Sequence, residues 1–230
     1  MSDNQNESKS VPTLESVGSA DPVFSSDMSA LISDESIALS AAKVGALESL
    51  ISILIKDVKF HEFMREVLLV HLRAIKSEAG SILEVDTKTN TLFFRAVSGQ
   101  SSDRVSRFTI PMGQGIVGHV AESRLPFMVT NVEENGRYLK AIGDAVGFEA
   151  RNLIAAPVVI RGKVFCVVEL LNRVGEPTYT AQDLDFLSYL CEVSAKIIEM
   201  RLMLAWTKTN SDGNAQGAAQ SEDSSSGIAA

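Results

Sequence analysis

The residues with the most chemistry to offer lie in one late stretch of the chain. Glu169 is a single acid inside the apolar run Lys163–Leu171. In an extended strand alternate side chains point to opposite faces. Glu169 is therefore either the outward polar residue between core-facing Val168 and Leu170, or a group aimed at a site. Just downstream, Asn172-Arg173 and a short spacer precede Tyr179-Thr180-Ala181-Gln182-Asp183-Leu184. Thr180 suits a helix N-cap and Asp183 can return its hydrogen bond, while Tyr179 and Leu184 can close a hydrophobic staple. Arg173 can pair with Asp183 near the start of that helix, so this constellation reads first as structural.

Nucleophilic or redox catalysis needs a thiol held at a pocket. Cys166 and Cys191 both sit inside apolar runs, one mid-strand and one mid-helix, and read as buried free thiols. His61, His71 and His119 have no metal-ligand spacing and read as surface or helix-face residues, so no metal site is expected. The seven methionines read as gap fillers. The chain is expected not to be an enzyme.

The elements around these residues follow from period and punctuation. Helical spacing begins after Ser33 or Asp34, with Ile37, Val44, Leu47, Ile51 and Leu54 on one narrow stripe. A second helix carries Phe60, Met64, Val67, Leu68, His71, Leu72 and Ile75. The period then changes. Ser81–Val85 and Thr91–Val97 flank a turn-rich segment and read as a hairpin. Arg107–Ile110 and Phe127–Val132 are shorter strands on either side of a helix over Ile116–Ser123. Residues 133–151 are irregular and glycine-containing, suited to a lid or pocket wall. Asn152–Ile160 and Lys163–Leu171 around Arg161-Gly162 form the clearest hairpin, and a long helix over about Ala181–Ala205 closes the domain. That helix has two apolar stripes, one through Leu184, Leu187, Cys191, Ser194 and Ile198. The other runs through Phe186, Leu190, Val193, Ile197, Met200 and Leu204 and calls for a further partner, either the first helix or a second copy of the chain. A homodimer joined through its helices is expected.

Charge and composition narrow the classes. The net charge of −8 is concentrated outside the middle of the chain: residues 1–40 carry −6, residues 207–230 carry −2, and 41–206 is neutral. A neutral body with no basic run argues against nucleic acid as a partner. The start MSDNQNESKS has neither the basic nor the apolar region of a secretory signal, and no run reads as long and apolar enough to span a membrane. A cytoplasmic protein is expected. The boundaries drawn are a disordered acidic tail over 1–33, a signalling or dimerisation helix over 34–57, one domain over 58–206, and a disordered tail over 207–230.

Several segments resemble the GAF domain of sensory and signalling proteins. They are Gly115-Ile116-Val117-Gly118-His119-Val120-Ala121-Glu122-Ser123, Gly147-Phe148-Glu149-Ala150-Arg151-Asn152-Leu153, Pro157, and Val168-Glu169-Leu170-Leu171-Asn172-Arg173. The flavour is closest to GAF domains of cyclic-nucleotide phosphodiesterases and adenylate cyclases. The resemblance covers about residues 45–204. It implies an α+β fold with a central antiparallel sheet, terminal helices packed on one face and a small-molecule pocket on the other. It also implies ligand contacts from Ser81, Gly115, Ile116, Val117, Leu139, Val146, Phe148, Ala150 and Glu169. The signature of the cyclic-nucleotide-binding members appears here altered as Asn172, Arg173, Tyr179, Thr180 and Asp183, with Leu184 where those members have a Glu.

Where nucleotide-binding relatives place threonines, this chain has Val146 and Ala150, and no carboxylate stands in register near Ala96 or Val97. Apolar groups there leave the polar edges of a purine unpaired, at about 1–3 kcal/mol each. The expected function is a stand-alone sensory or regulatory module that binds a small ligand, with a cyclic nucleotide among the candidates. It would signal through its terminal helices to a protein partner. A ligand-free dimerisation or interaction module is the alternative. Reduction of free methionine sulfoxide, the chemistry of one branch of the family, ranks last. No cofactor is expected.

Overall fold

The computed structural model describes residues 34–223, apart from 100, 101, 106, 140, 141, 145 and 146. The segments 1–33 and 224–230, and Val146 among the expected ligand contacts, lie outside the described residues. Two compact units are distinguished, Met1–Ser40 and Ala41–Ala230. The described part of the first is the opening of helix α1 (Asp34–Leu54); the second holds everything below.

Helix α2 (Phe60–Ile75) buries Phe63, Met64, Val67, Leu68, His71 and Leu72 along one face. It ends at Lys76, whose left-handed backbone turns its N–H back onto the carbonyl of Leu72. The chain enters β1 (Ser77–Asp86) at once and returns in β2 (Thr91–Ser98). The turn between them is set by Asp86, whose carboxylate accepts the Lys88 N–H at 2.8 Å, and by Asn90 at φ 55°. A short helix α3 (Ser102–Val105), which sequence periodicity did not reveal, leads to β3 (Thr109–Pro111). Then come α4 (Gly115–Ser123), β4 (Phe127–Val129), β5 (Leu153–Ile160), β6 (Lys163–Arg173) and α5 (Ala181–Asp223).

The six strands form one sheet in the order β3-β2-β1-β6-β5-β4, every neighbouring pair antiparallel. The β5–β6 hairpin turns on Arg161 at φ 49° and Gly162 at φ 75°, the two positive-φ positions that a tight two-residue turn demands. Strand alternation gives the sheet two apolar faces. Helix α2 packs on β1 and β2, and α5 on β5, over one face. Helix α4 packs on β5 and β6 over the other, where Leu83, Leu92, Val120, Leu153, Ala155 and Val167 join one buried cluster. This is the α+β architecture expected, with terminal helices on one face and room for a pocket on the other.

Three boundaries differ from the sequence reading. Strand β1 begins at Ser77 rather than Ser81, because pairing with β6 continues back to Ser77 opposite Arg173. Strand β4 stops at Val129 instead of Val132, where its pairing with Leu153 ends. Helix α5 runs to Asp223, well past Trp206 and into the segment assigned to a disordered tail. Residues 207–223 contain no proline, so nothing in them forbids continuing the turns already under way.

Most positions of both α5 stripes up to Ile198 are buried, Phe186, Leu190 and Ile197 as well as Leu187, Cys191 and Ser194, while Leu184 and Val193 are half-buried. The chain supplies its own cover. The Lys43 ammonium lies over the Tyr189 ring at 5.3 Å, and the Arg201 guanidinium lies over Phe63 at 5.7 Å. Arg201 also donates to the carbonyls of Leu54 and Val58. Beyond Glu199 the apolar positions Met200, Met203, Leu204 and Trp206 are exposed. By length and composition the stretch Ile37–Leu54, of mean hydropathy 1.7, would suffice to cross a membrane, where the sequence reading found no such run. Ala46, Leu50 and Ile53 from the same stretch are buried in the protein itself.

Candidate functional site

A cavity of about 90 Å³ opens on the α4 face of the sheet. Its floor is β1 and β6, with Ala79, Ser81, Glu169 and Leu171 pointing in. One wall is Phe94, Val97, Ser98, Val105 and Ile110. The start of α4 gives Ile116 and Val117, and the roof is Tyr138, Leu139, Ile142, Gly143 and Phe148. Gly115 at φ 66° makes the roof possible, since a Cβ there would stand 2.7 Å from the Leu139 side chain. Outside the roof lies a wider groove of about 800 Å³, bordered by Val132, Glu133, Asp144, Gly147 and Ala150. Tyr138, Gly143 and Phe148 border both spaces and form the partition between them.

Most of this lining is hydrocarbon, and its polar groups are few. Ser81 and Glu169 are register partners on β1 and β6, and the Ser81 hydroxyl donates to Glu169 Oε2 at 3.2 Å. Burial pushes the Glu169 carboxyl up to about 7, against the smaller opposing effect of that hydrogen bond. Burial likewise raises the Tyr138 hydroxyl to about 12, helped by the charges of Glu169 and Asp144. Among the described lining residues there is no Lys, Arg or His.

The structure brings Ser81, Ile116, Val117, Leu139, Phe148 and Glu169 of the expected contacts to this one cavity. Gly115 contributes space instead of a contact. Ala150 borders the outer groove and is not among the residues lining the cavity. Glu169 faces the α4 side together with Val167 in the buried cluster there, while Val168 and Leu170 face the helices, so the solvent-facing alternative for Glu169 does not apply. Tyr138, Ile142 and Gly143 went unrecognised in the sequence because residues 133–151 have no period to read. Ala79 and Ser98 were missed because β1 begins earlier than its apolar run suggests.

Downstream of Glu169 the Asn172–Asp183 constellation forms a clamp. Asn172, fully buried at φ 58°, accepts the Arg151 N–H at 2.7 Å and donates to Glu78 at 3.1 Å and to the Glu149 carbonyl at 2.9 Å. Asn152 answers it, accepting the Arg173 N–H at 2.9 Å and donating to the Pro177 carbonyl at 3.1 Å. Arg173 Nε pairs with Asp183 at 3.2 Å. Thr180 Oγ1 accepts the Asp183 N–H at 3.2 Å, and Asp183 accepts the Thr180 N–H at 3.0 Å, the reciprocal capping box. Tyr179 is buried and its hydroxyl donates to Ser77 Oγ at 2.8 Å.

Cys166 and Cys191 are free, buried and absent from the cavity lining. Burial drives both thiols above their ordinary range, away from the thiolate that nucleophilic chemistry needs. His71 sits in the α2–α5 interface, with Nδ1 2.8 Å from the Val67 carbonyl and Nε2 3.4 Å from Ser194 Oγ. Burial lowers it to about 4, so it is neutral at pH 7. His119 packs edge-on against Phe127. Among the described residues no three His, Cys, Asp or Glu side chains converge as metal ligands.

A curled antiparallel sheet with helices on one face and a roofed cavity on the other defines an α+β pocket domain. A family model described as GAF domain matches residues 58–199, and the chain belongs to that family. Its curated relatives include the rod cGMP-specific 3',5'-cyclic phosphodiesterase subunit alpha of Canis lupus familiaris. That protein is 30% identical over 82 residues, which are 36% of this chain and 10% of the relative. The cone subunit alpha' of Bos taurus is 34% identical over 85 residues, again 36% and 10%. The match thus spans about a tenth of these relatives' length. Among solved structures, the A. aeolicus nlh2 GAF domain in an inactive state has a TM-score of 0.59 at 23% identity, covering 73% of this chain and 99% of that one. Free methionine-R-sulfoxide reductase from Neisseria meningitidis, in complex with its substrate, has a TM-score of 0.59 at 17% identity, covering 75% and 95%. At these identities the likeness is one of fold.

Proposed function

We propose that this chain is a regulatory module that binds a small ligand in the α4-side cavity and passes occupancy to its terminal helices. The observation that carries the reading is the Ser81–Glu169 pair, two polar groups held together in a largely apolar, roofed cavity. A route outward supports it. Three residues beyond Glu169, Asn172 ties β6 to the 149–152 segment, and Arg173 is paired to the cap of α5. A ligand that moves β6 therefore pulls on the start of the long helix.

Cyclic nucleotides are candidates through the relatives, whose names describe cGMP-specific phosphodiesterases. The reductase chemistry named for one fold neighbour finds no support, since neither thiol lines the cavity. A thermal-shift screen of the full chain against small metabolites and cyclic mono- and dinucleotides tests the reading. A ligand at a hundred times its Kd stabilises by about 2.7 kcal/mol, a shift of several degrees. No shift from any compound would count against it.

A second reading, a homodimer joined through its helices, rests on exposed Val44 and Ile51 of α1 and exposed Met200, Met203, Leu204 and Trp206 of α5. Light scattering at high micromolar concentration tests it, and a monomeric mass would exclude it.

A further inference from the structure

Taking the cavity as a ligand site, its size, charge and hydrogen-bonding pattern narrow the ligand. We propose that it takes a compact, largely apolar molecule presenting a protonated nitrogen, an amidine or amine, to Glu169 and Ser81, and that it rejects phosphate esters.

Size is the first constraint. A water occupies on the order of 10–15 Å³ in such a cavity. The 90 Å³ of water-accessible space admits a compact ligand of several water-sized groups, and a larger one would have to extend out through the opening. Charge is the second. Among the described lining residues the one carboxylate is Glu169 and no Lys, Arg or His offers a countercharge. Among the described residues, the titratable groups that feel the Glu169 charge are Tyr138 in the roof and Tyr179, with Asp144 beyond the roof, and none of these is a cation. An anion entering this apolar space would meet Glu169 with little water to screen it. A cation would find its partner there.

Hydrogen bonding is the third. Ser81 donates to Glu169 Oε2, and among the described residues nothing bonds Oε1. Oε1 is also not sealed away, for no buried side-chain oxygen lacks a partner among the described residues, so it is reachable from the cavity. The Ser81 hydroxyl, its proton committed to Glu169, can only accept from a ligand. The pair therefore presents two acceptors side by side and no donor, the complement of two N–H groups on one cationic centre.

Calorimetric titration of the full chain with benzamidine, benzyl alcohol, benzoate and cyclic GMP, at pH 6 and pH 8, tests this. Benzamidine should bind at least ten times more tightly than benzoate or cyclic GMP. Its affinity should rise about tenfold from pH 6 to pH 8, the change in ionised Glu169 across a pKa of about 7. Glu169→Gln and Ser81→Ala should each weaken benzamidine binding, the first by at least tenfold, and a melting curve shows that each variant is folded. Equal or tighter binding of benzoate or cyclic GMP that competes with benzamidine would overturn the ligand class and leave the cavity a ligand site. Absence of binding by every probe, or binding that Glu169→Gln leaves unchanged, would overturn both.

Discussion

Replacing Glu169 by Gln should make the ligand-free protein more stable above neutral pH and change the slope of its stability with pH. Glu169 has an ordinary value of 4.5 and a folded value of about 7. The folded state thus holds a proton that the unfolded chain releases between those values. The stabilisation is fully present below pH 4.5 and is lost as pH rises through 7. Each pH unit between the two values is worth about 1.4 kcal/mol, so the loss is about 3 kcal/mol by pH 8. The wild-type curve conceals it, because His71 acts with the opposite sign. Its ordinary 6.5 falls to about 4 in the folded state. Its contribution is therefore present above pH 6.5 and lost as pH falls towards 4, again by about 3 kcal/mol. Between pH 4.5 and 6.5 the two slopes nearly cancel. Glu169→Gln keeps a hydrogen-bonding partner for Ser81 and removes only one slope. Urea melts at pH 5 and pH 8 should show the variant gaining about 2–3 kcal/mol over wild type at pH 8 and little at pH 5. Parallel wild-type and variant profiles would show that Glu169 is not held in an apolar cavity, and the electrostatic reading of the site would fail.

Thr180→Ala should cost about 1 kcal/mol through loss of the α5 cap, seen as a lower urea midpoint; an unchanged midpoint would refute the capping role. Asn172→Ala removes three side-chain hydrogen bonds and places alanine at φ 58°. It should cost about 3 kcal/mol or more. A loss below about 1 kcal/mol by the same melts would show that the clamp is dispensable.

Much of the scaffold was legible because local rules and tertiary structure agree. Arg161-Gly162 turns the β5–β6 hairpin with the backbone its sequence favours, and Thr180 with Asp183 starts α5 as residue types alone suggest. The motif that resembled a ligand signature is built as a clamp, and its reach was hidden. Asn172 bonds Glu78, 94 positions away, and no spacing rule connects them. Glu169 stood out in the sequence, yet its orientation was ambiguous because strand alternation gives two faces and not which of them is roofed. The roof itself was opaque. Tyr138 and Ile142 lie in a loop without period, and only the fold sets them above Ser81. The second stripe of α5 suggested either the first helix or a second copy as its partner, while most of its positions as far as Ile198 are buried within this chain, where α2 and β5 pack on α5.

Whether a ligand in the cavity is felt at α5 is decided by amide NMR of the full chain. The titrant is the compound that raises its melting temperature most. Shifts are expected at Ser81, Phe148 and Glu169, continuing through Asn172 and Arg173 to Asp183 at the start of α5. Shifts confined to the exposed apolar positions from Met200 to Trp206, with the cavity residues unmoved, would contradict a sensing role for the cavity.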